Sequence, residues 1–116
     1  FLGSPLHIDT SLAAPMPLGT QAILYLTDTP AQRGALQVLP GFHRDFDAWA
    51  ASLGGADPRR VDLRDGVVPV PGDAGDMVIW HHALPHGATP NHDDFPRIVQ
   101  YLNFAPPTVR DDRPWL

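Results

Sequence analysis

The sequence predicts one all-β domain, a sandwich or barrel of short strands with a single helix, on three observations. The 116 residues suffice for one compact core and are too few for two. Fourteen prolines and ten glycines interrupt the chain at short intervals, which leaves room for strands and for few long helices. Short apolar stretches are separated by turn residues along most of the chain, as in sandwiches and barrels.

Stretches rich in apolar, β-branched and aromatic residues predict five strands and suggest a sixth. The five expected strands are, in order, residues 21–27, 35–39, 67–70, 77–81 and 97–104. The alternation at residues 60–64 favours one more short strand. From residue 106 onward the chain is expected to be irregular.

One segment has the spacing of an amphipathic helix. Apolar side chains recur at i, i+3, i+4 and i+7, the positions of one helix face: Phe46, Trp49, Ala50 and Leu53. Asp45 is expected to cap the beginning of this helix, and the pair Gly54-Gly55 to end it. The sequence therefore predicts one short helix in this region.

Charge and composition exclude several classes of function. Eight basic and 13 acidic residues give a net charge of −5 without a Lys/Arg cluster, which argues against nucleic acid and anionic membranes as partners. No apolar run approaches the roughly 18 residues of a membrane span. Cysteine is absent, so disulfides and thiolate metal sites are excluded. No signal peptide is visible, so we expect a cytoplasmic protein. The partner that we expect is a small-molecule substrate.

His7, Asp9 and His86 are candidates for a metal site. In an extended segment, residues i and i+2 project to the same side, so His7 and Asp9 can bind one divalent cation together. His86 follows the strand at residues 77–81 and can approach this pair if the sheet closes on itself. Two histidines and one carboxylate form the facial triad of non-haem Fe(II) oxygenases. The alternatives are a chance H-x-D pattern and a histidine that only stabilises a turn.

Arg97 is a candidate anion-binding residue at the start of the last expected strand. A guanidinium that points inward beside a metal is costly unless an anion pairs with it, and a dicarboxylate cosubstrate would supply that anion. The alternative is an exposed arginine, because the polar residues 91–94 precede it.

Four motifs follow one another in a family-like order. The H-x-D pattern is followed by GALQVLPGFH at residues 34–43 and by PGDAGDMVIWH at residues 71–81, and His86-Gly87 then precedes Asn91 and Arg97. This series resembles the phytanoyl-CoA dioxygenase family. That family shows a G-x-L-x-V-x-P-G-[ST]-H stretch, a Gly-Asp lead-in to an apolar strand and an H-G-x-x-x-N…R pattern. The resemblance extends from residue 7 to about residue 105.

The resemblance implies a double-stranded β-helix, the jelly-roll fold that cupins share, and a dioxygenase site. Fe(II) would be held by His7, Asp9 and His86, and 2-oxoglutarate by Arg97, with a hydroxyl contributed by Thr89. With O2, such a site hydroxylates a C–H bond of a small organic substrate and releases succinate and CO2. The carboxylate of Asp9 favours hydroxylation over halogenation, because related halogenases have a small residue there.

The sequence departs from the family pattern at three points. Phe42 stands where the family has Ser or Thr, and Ala88 where relatives often have Ser. The family's N-terminal portion has no counterpart before residue 1, so residues 1–116 are expected to form a single, partial domain. An uncovered sheet edge would then favour pairing with a second copy of the chain.

The remaining expectations concern the substrate and the competing functions. Tyr25, Trp80 and His81 are expected to line the substrate pocket, although packing in the core explains each of them as well. Gln21 shares a strand face with Tyr25 and could meet the cosubstrate. Two other functions stay open. One is a cupin-like Zn²⁺ or Mn²⁺ metalloprotein that uses the same three ligands without Arg97, and the other is a non-catalytic jelly-roll binding module.

Overall fold

The computed structural model describes residues 2–116 and confirms an all-β architecture with one short helix. This part of the chain forms seven strands: β1 (Ser4–His7), β2 (Thr20–Tyr25), β3 (Leu36–Val38), β4 (Val68–Val70), β5 (Met77–His81), β6 (His86–Ala88) and β7 (Val99–Phe104). Helix α1 covers Phe46–Ser52 and follows a 3₁₀ turn at Phe42–Asp45, and a second 3₁₀ turn covers Pro58–Arg60.

The strands form two antiparallel sheets that enclose the core, as expected for a jelly-roll. One sheet has the order β1-β6-β3-β4, and the other has the order β5-β2-β7. β6 therefore lies between β1 and β3, although β1 and β6 are far apart in the chain. This topology brings residues near position 7 next to residues near position 86.

The main core lies between the two sheets. Ile23 and Tyr25 of β2 are fully buried and pack against Leu36 and Val38 of β3 and Trp80 of β5. Because side chains alternate along a strand, the odd-numbered residues of β2 face this core and the even-numbered ones face outward.

The predicted helix ends earlier than expected but buries the expected face. Phe46 is almost completely buried beside Ile8 and Leu12, and Trp49 and Ala50 lie against the same cluster. The prediction that Asp45 caps the helix is wrong: its side chain makes no capping hydrogen bond, and the 3₁₀ turn leads into the helix instead. With its seven residues, α1 cannot cross a membrane, and no other helix within residues 2–116 is long and apolar enough to do so.

Five strands lie where the apolar stretches predicted them, and the prediction of a sixth strand at residues 60–64 is wrong. Residues 60–64 form the end of a 3₁₀ turn and a loop. Asp57 accepts a hydrogen bond from the backbone N–H of Arg59, and the guanidinium of Arg64 pairs with Asp62 two residues before it. These local bonds satisfy the polar groups of the segment without a neighbouring strand.

Candidate metal centre

The pairing of β1 with β6 places two histidines opposite each other. His7 and His86 are register partners in this antiparallel pair, and their ring centroids lie 4.6 Å apart. The close approach depends on Gly87, because a Cβ atom there would lie 2.7 Å from the carbonyl oxygen of Ser4. A glycine after the second histidine is therefore a steric requirement of this strand pair.

Asp9 completes a three-residue donor set. Its Oδ1 lies 3.6 Å from Nε2 of His7, and its Oδ2 lies 3.3 Å from Nε2 of His86. The donor atoms of the three residues all lie within 4.8 Å of one another. Ligands about 2.1 Å from one metal ion and at right angles to each other are about 3 Å apart. The separations therefore fit one divalent cation with two imidazoles and one carboxylate on the same face.

Hydrogen bonds fix the orientation of both imidazole rings. Nδ1 of His7 lies 2.9 Å from the carbonyl oxygen of Pro5, and Nδ1 of His86 lies 3.0 Å from that of Leu84. A carbonyl can only accept, so each Nδ1 carries a proton, and in the neutral ring each Nε2 then presents a lone pair. These lone pairs face the carboxylate of Asp9, an arrangement of acceptors that a cation between them would stabilise.

Burial favours the neutral form of the His86 imidazole. Its side chain is only 5% exposed, whereas that of Asp9 is 51% exposed. Burial lowers the pKa of His86, although the carbonyl of Leu84 and the carboxylate of Asp9 act in the opposite direction. A neutral imidazole is the form that binds a metal ion.

Gln21 connects the second sheet to this centre. Its Nε2 donates to Oδ2 of Asp9 at 3.2 Å, and it is the register partner of Trp80 on β5 and of Asn103 on β7. Its Oε1 is buried and has no hydrogen-bond partner within residues 2–116. The carboxylate ligand is thus oriented by a side chain on the inward face of β2.

Arg97 lies just before β7, on the same inward face. Its Nη2 donates to the hydroxyl of Tyr101 at 3.1 Å, and its side chain packs over Gly34. In the described part of the chain no carboxylate forms an ion pair with Arg97. Thr89 lies after β6, but its hydroxyl already donates to the carbonyl of Ala31 at 2.7 Å.

The register of β2 and β7 relates Arg97 to the donor set. Gln21, which contacts Asp9, pairs with Asn103, and Ile23 pairs with Tyr101. Two residues of a strand span about 7 Å, so the hydroxyl that Arg97 contacts belongs to a residue about 7 Å along the sheet from Gln21. The sheet thus brings the residue that Arg97 contacts to within two strand positions of the level of Gln21.

Tyr25 lies in the core and not on an open surface. Its hydroxyl donates to the carbonyl of Val70 at 2.6 Å and accepts from the N–H of Leu36 at 2.9 Å. The side chain is fully buried, and this burial raises its pKa. The hydroxyl therefore joins β2 to β3 and β4.

Trp80 and His81 lie on opposite faces of β5. The ring of Trp80 lies 4.9 Å from that of His86, and its indole N–H is buried without a partner within residues 2–116. His81 instead stacks on His43 at 5.3 Å and accepts the N–H of Ala83. Burial lowers the pKa of His81. Among the three residues expected in the substrate pocket, only Trp80 contacts the donor set.

Arg59 is a neighbour of the donor set that no motif marks. Its guanidinium donates to the carbonyl oxygens of Ile8 and Thr10, the residues on either side of Asp9. Both partners are backbone atoms, so nothing in the sequence around them signals the contact.

Comparison with known proteins identifies the family and the shared fold. The crystal structure of EvdMO1 is 30% identical to this chain, with a TM-score of 0.69, and the match covers 91% of this chain and 24% of that protein. SnoN, a non-heme alpha ketoglutarate dependent epimerase from nogalamycin biosynthesis, is 28% identical, with a TM-score of 0.63 over 88% of this chain and 39% of SnoN. AviO1 from Streptomyces viridochromogenes Tue57, at 24% identity and a TM-score of 0.69, shows the shared fold over 94% of this chain and 46% of AviO1.

This chain therefore spans less than half the length of each of these proteins. A family model described as Phytanoyl-CoA dioxygenase matches residues 2–99. Because that match covers most of the chain and includes the three donor residues, the chain belongs to the phytanoyl-CoA dioxygenase family.

Proposed function

We propose that this chain carries the centre of an Fe(II)- and 2-oxoglutarate-dependent oxygenase that hydroxylates a C–H bond of a small organic substrate. The observation that carries the proposal is the convergence of His7, Asp9 and His86, with Arg97 bonded to the hydroxyl of Tyr101 on the strand that pairs with the strand of Gln21. A metal site alone would not need this arginine.

Two similar structures support the choice of cofactors. SnoN and SnoK, both 28% identical to this chain, are a non-heme alpha ketoglutarate dependent epimerase and carbocyclase from nogalamycin biosynthesis. The same kind of centre therefore serves more than one reaction. The carboxylate of Asp9 in the triad favours hydroxylation over halogenation. The reaction would convert the organic substrate, 2-oxoglutarate and O2 to the hydroxylated product, succinate and CO2.

Separate side chains of this chain would hold the metal ion and the cosubstrate. Nε2 of His7, Nε2 of His86 and a carboxylate oxygen of Asp9 would hold Fe(II), and Gln21 keeps that carboxylate in place. The bound iron and 2-oxoglutarate would supply the activation of O2. The guanidinium of Arg97 would bind the far carboxylate of the cosubstrate through two parallel hydrogen bonds.

The buried side of the centre would exclude water. Trp80 covers one face of His86, and Ile23 and Leu36 fill the adjoining core. An apolar wall of this kind strengthens the attraction between the metal and its ligands and limits side reactions.

A titration with Fe(II) and 2-oxoglutarate in the absence of O2 tests the proposal. We expect a weak visible charge-transfer band in the wild-type protein, which disappears in His86→Ala and in Arg97→Ala. Arg44→Ala is the matched control, because Arg44 is an exposed arginine in the 3₁₀ turn before α1 and should leave the band unchanged.

The other outcomes separate the competing functions. If metal binds but no band forms, and Arg97→Ala has no effect, a cupin-like Zn²⁺ or Mn²⁺ metalloprotein is favoured. If the folded protein binds no divalent metal, the chain is a non-catalytic jelly-roll and the proposal is rejected.

A further inference from the structure

We propose that Arg59 is a positioning residue for the metal centre, which holds the loop of Asp9 in place and is itself held by Trp115 and Leu116. The inference rests on the proposed function, because it gives a role to a residue outside the donor set. It adds a long-range connection between the C-terminal segment and the carboxylate ligand.

The loop that carries Asp9 has little support from the sheet. Strand β1 ends at His7, so the ladder of β1 and β6 stops before the carboxylate ligand. Within residues 2–116, the backbone–backbone hydrogen bonds outside the strands include none from Ile8, Asp9 or Thr10. The position of the Asp9 carboxylate must therefore be fixed by contacts other than the hydrogen bonds of the sheet.

Arg59 provides that support from both sides of the ligand. Its Nη1 donates to the carbonyl oxygen of Ile8 at 3.1 Å, and its Nη2 donates to that of Thr10 at 3.1 Å. One rigid, planar group thus fixes the peptide unit before Asp9 and the peptide unit after Thr10. The flexible ammonium of a lysine has no such fork.

The guanidinium is in turn fixed by the C-terminal segment. Nε and Nη2 of Arg59 donate to the backbone oxygen of Leu116 at 3.0 and 2.6 Å, and its Cζ lies 5.0 Å from the ring centroid of Trp115. The carboxylate of Asp57 accepts the backbone N–H of Arg59 at the beginning of the 3₁₀ turn. The arginine is therefore held at its backbone and at its tip.

The C-terminal segment also fastens the residues that follow the ligand. The hydroxyl of Ser11 donates to the carbonyl oxygen of Pro114 at 2.5 Å, and the guanidinium of Arg113 donates to the carbonyl oxygen of Ala13. These contacts and those of Arg59 hold the loop against the same piece of chain. Loss of one contact should therefore loosen the carboxylate without removing a ligand.

The test compares metal binding in Arg59→Met, Arg59→Lys and the wild type by calorimetric titration with Mn(II). Partners that orient ligands typically contribute about 10- to 100-fold to metal affinity, and we expect a loss of that size in Arg59→Met. Removing a positive charge would by itself favour the binding of a cation. A loss of affinity therefore reports geometry and not charge.

Arg60→Met is the matched control. Arg60 is the next residue of the same turn, its side chain is 87% exposed, and its ion pair with Asp57 does not involve the ligand loop. We expect this variant to bind Mn(II) like the wild type. The visible spectrum of bound Co(II) gives a second readout, which should change in Arg59→Met and Arg59→Lys and not in Arg60→Met.

Several outcomes would overturn the inference. It fails if Arg59→Met binds Mn(II) within about twofold of the wild type, or if Arg60→Met loses as much affinity. If Arg59→Met does not fold, Arg59→Lys and Trp115→Ala carry the test, and wild-type affinity in both rejects the inference. If all three variants unfold, Arg59 is a residue that stabilises the fold, and the inference that it positions the metal ligand is rejected. Absence of Mn(II) binding in the wild type would instead reject the proposed function.

Discussion

At the scale of single residues, burial decides which histidines stay neutral. His86 is buried and His82 is half-buried, and burial lowers the pKa of each. His86 uses its neutral form to present Nε2 to the centre, whereas Nε2 of His82 bonds the carbonyl oxygen of Pro17 at 2.6 Å. The neutral form of His86 thus serves the metal centre, whereas that of His82 stabilises the fold.

The stability of the protein should fall as the pH decreases below about 6.5. The folded pKa of His82 lies below 6.5, so its imidazole is neutral in both states above that pH. Below it, the unfolded chain takes up the proton first, and the free energy of unfolding decreases until the folded pKa is reached. His81 and His86 act in the same direction.

Urea denaturation at several pH values measures this effect. His82→Gln keeps a side-chain N–H for Pro17 and should make the decline shallower. His92→Gln, in an exposed loop, is the control and should leave the slope unchanged. An identical pH dependence in His82→Gln and the wild type would contradict the assignment.

At the scale of elements, the pairing of β1 with β6 depends on one glycine. Gly87→Ala would place a methyl group 2.7 Å from the carbonyl oxygen of Ser4 and 2.9 Å from that of Pro5, and both neighbours are backbone atoms. We expect the free energy of unfolding to decrease by about 1–3 kcal/mol, because the strands must separate. Equilibrium denaturation in urea measures the change.

Gly54→Asn is the control for this variant. Gly54 has open space around it and a φ of +58°, a conformation that asparagine adopts with little strain. This control should change stability by less than about 0.5 kcal/mol. Wild-type stability in Gly87→Ala would show that β1 does not lie as close to β6 as described.

The elements also show what sequence patterns can predict. The helix and the longer strands were predictable because their apolar periodicity extends over several residues, as at Phe46–Ser52 and Thr20–Tyr25. Strand β6 was not, because its three residues are all buried and show no alternation. The donor set followed from motif order, whereas Arg59 bonds to backbone atoms and leaves no trace in the sequence.

At the scale of the whole molecule, one sheet has an apolar outer face. Outward-facing residues of β5 and β7, and residues next to the ends of β2 and β7, remain about half exposed: Leu26, Met77, Ile79, Ile98 and Phe104. Contiguous apolar patches of this kind favour association, and the net charge of −5 is the main opposing effect. We therefore propose that the chain pairs with a second copy, and that the apolar outer face of the sheet β5-β2-β7 forms the contact.

The variant Ile79→Lys should reduce self-association. A charge in the middle of the apolar face would have to lose its hydration in any contact between copies. Val68→Thr, at an exposed position of the other sheet, is the control and should behave like the wild type. Light scattering over a range of concentrations measures the average mass. A monomeric wild type, or equal association in Ile79→Lys, would contradict the prediction.

The central claim is that two imidazoles and one carboxylate, brought together by the pairing of β1 with β6, hold one metal ion. Cu(II) is a suitable probe because it binds imidazole strongly. Pulsed electron paramagnetic resonance of the Cu(II) protein should detect the remote nitrogens of two imidazoles in the wild type and of one in His7→Ala and in His86→Ala, while His92→Ala keeps two. Two imidazoles in His86→Ala, or none in the folded wild type, would contradict the account.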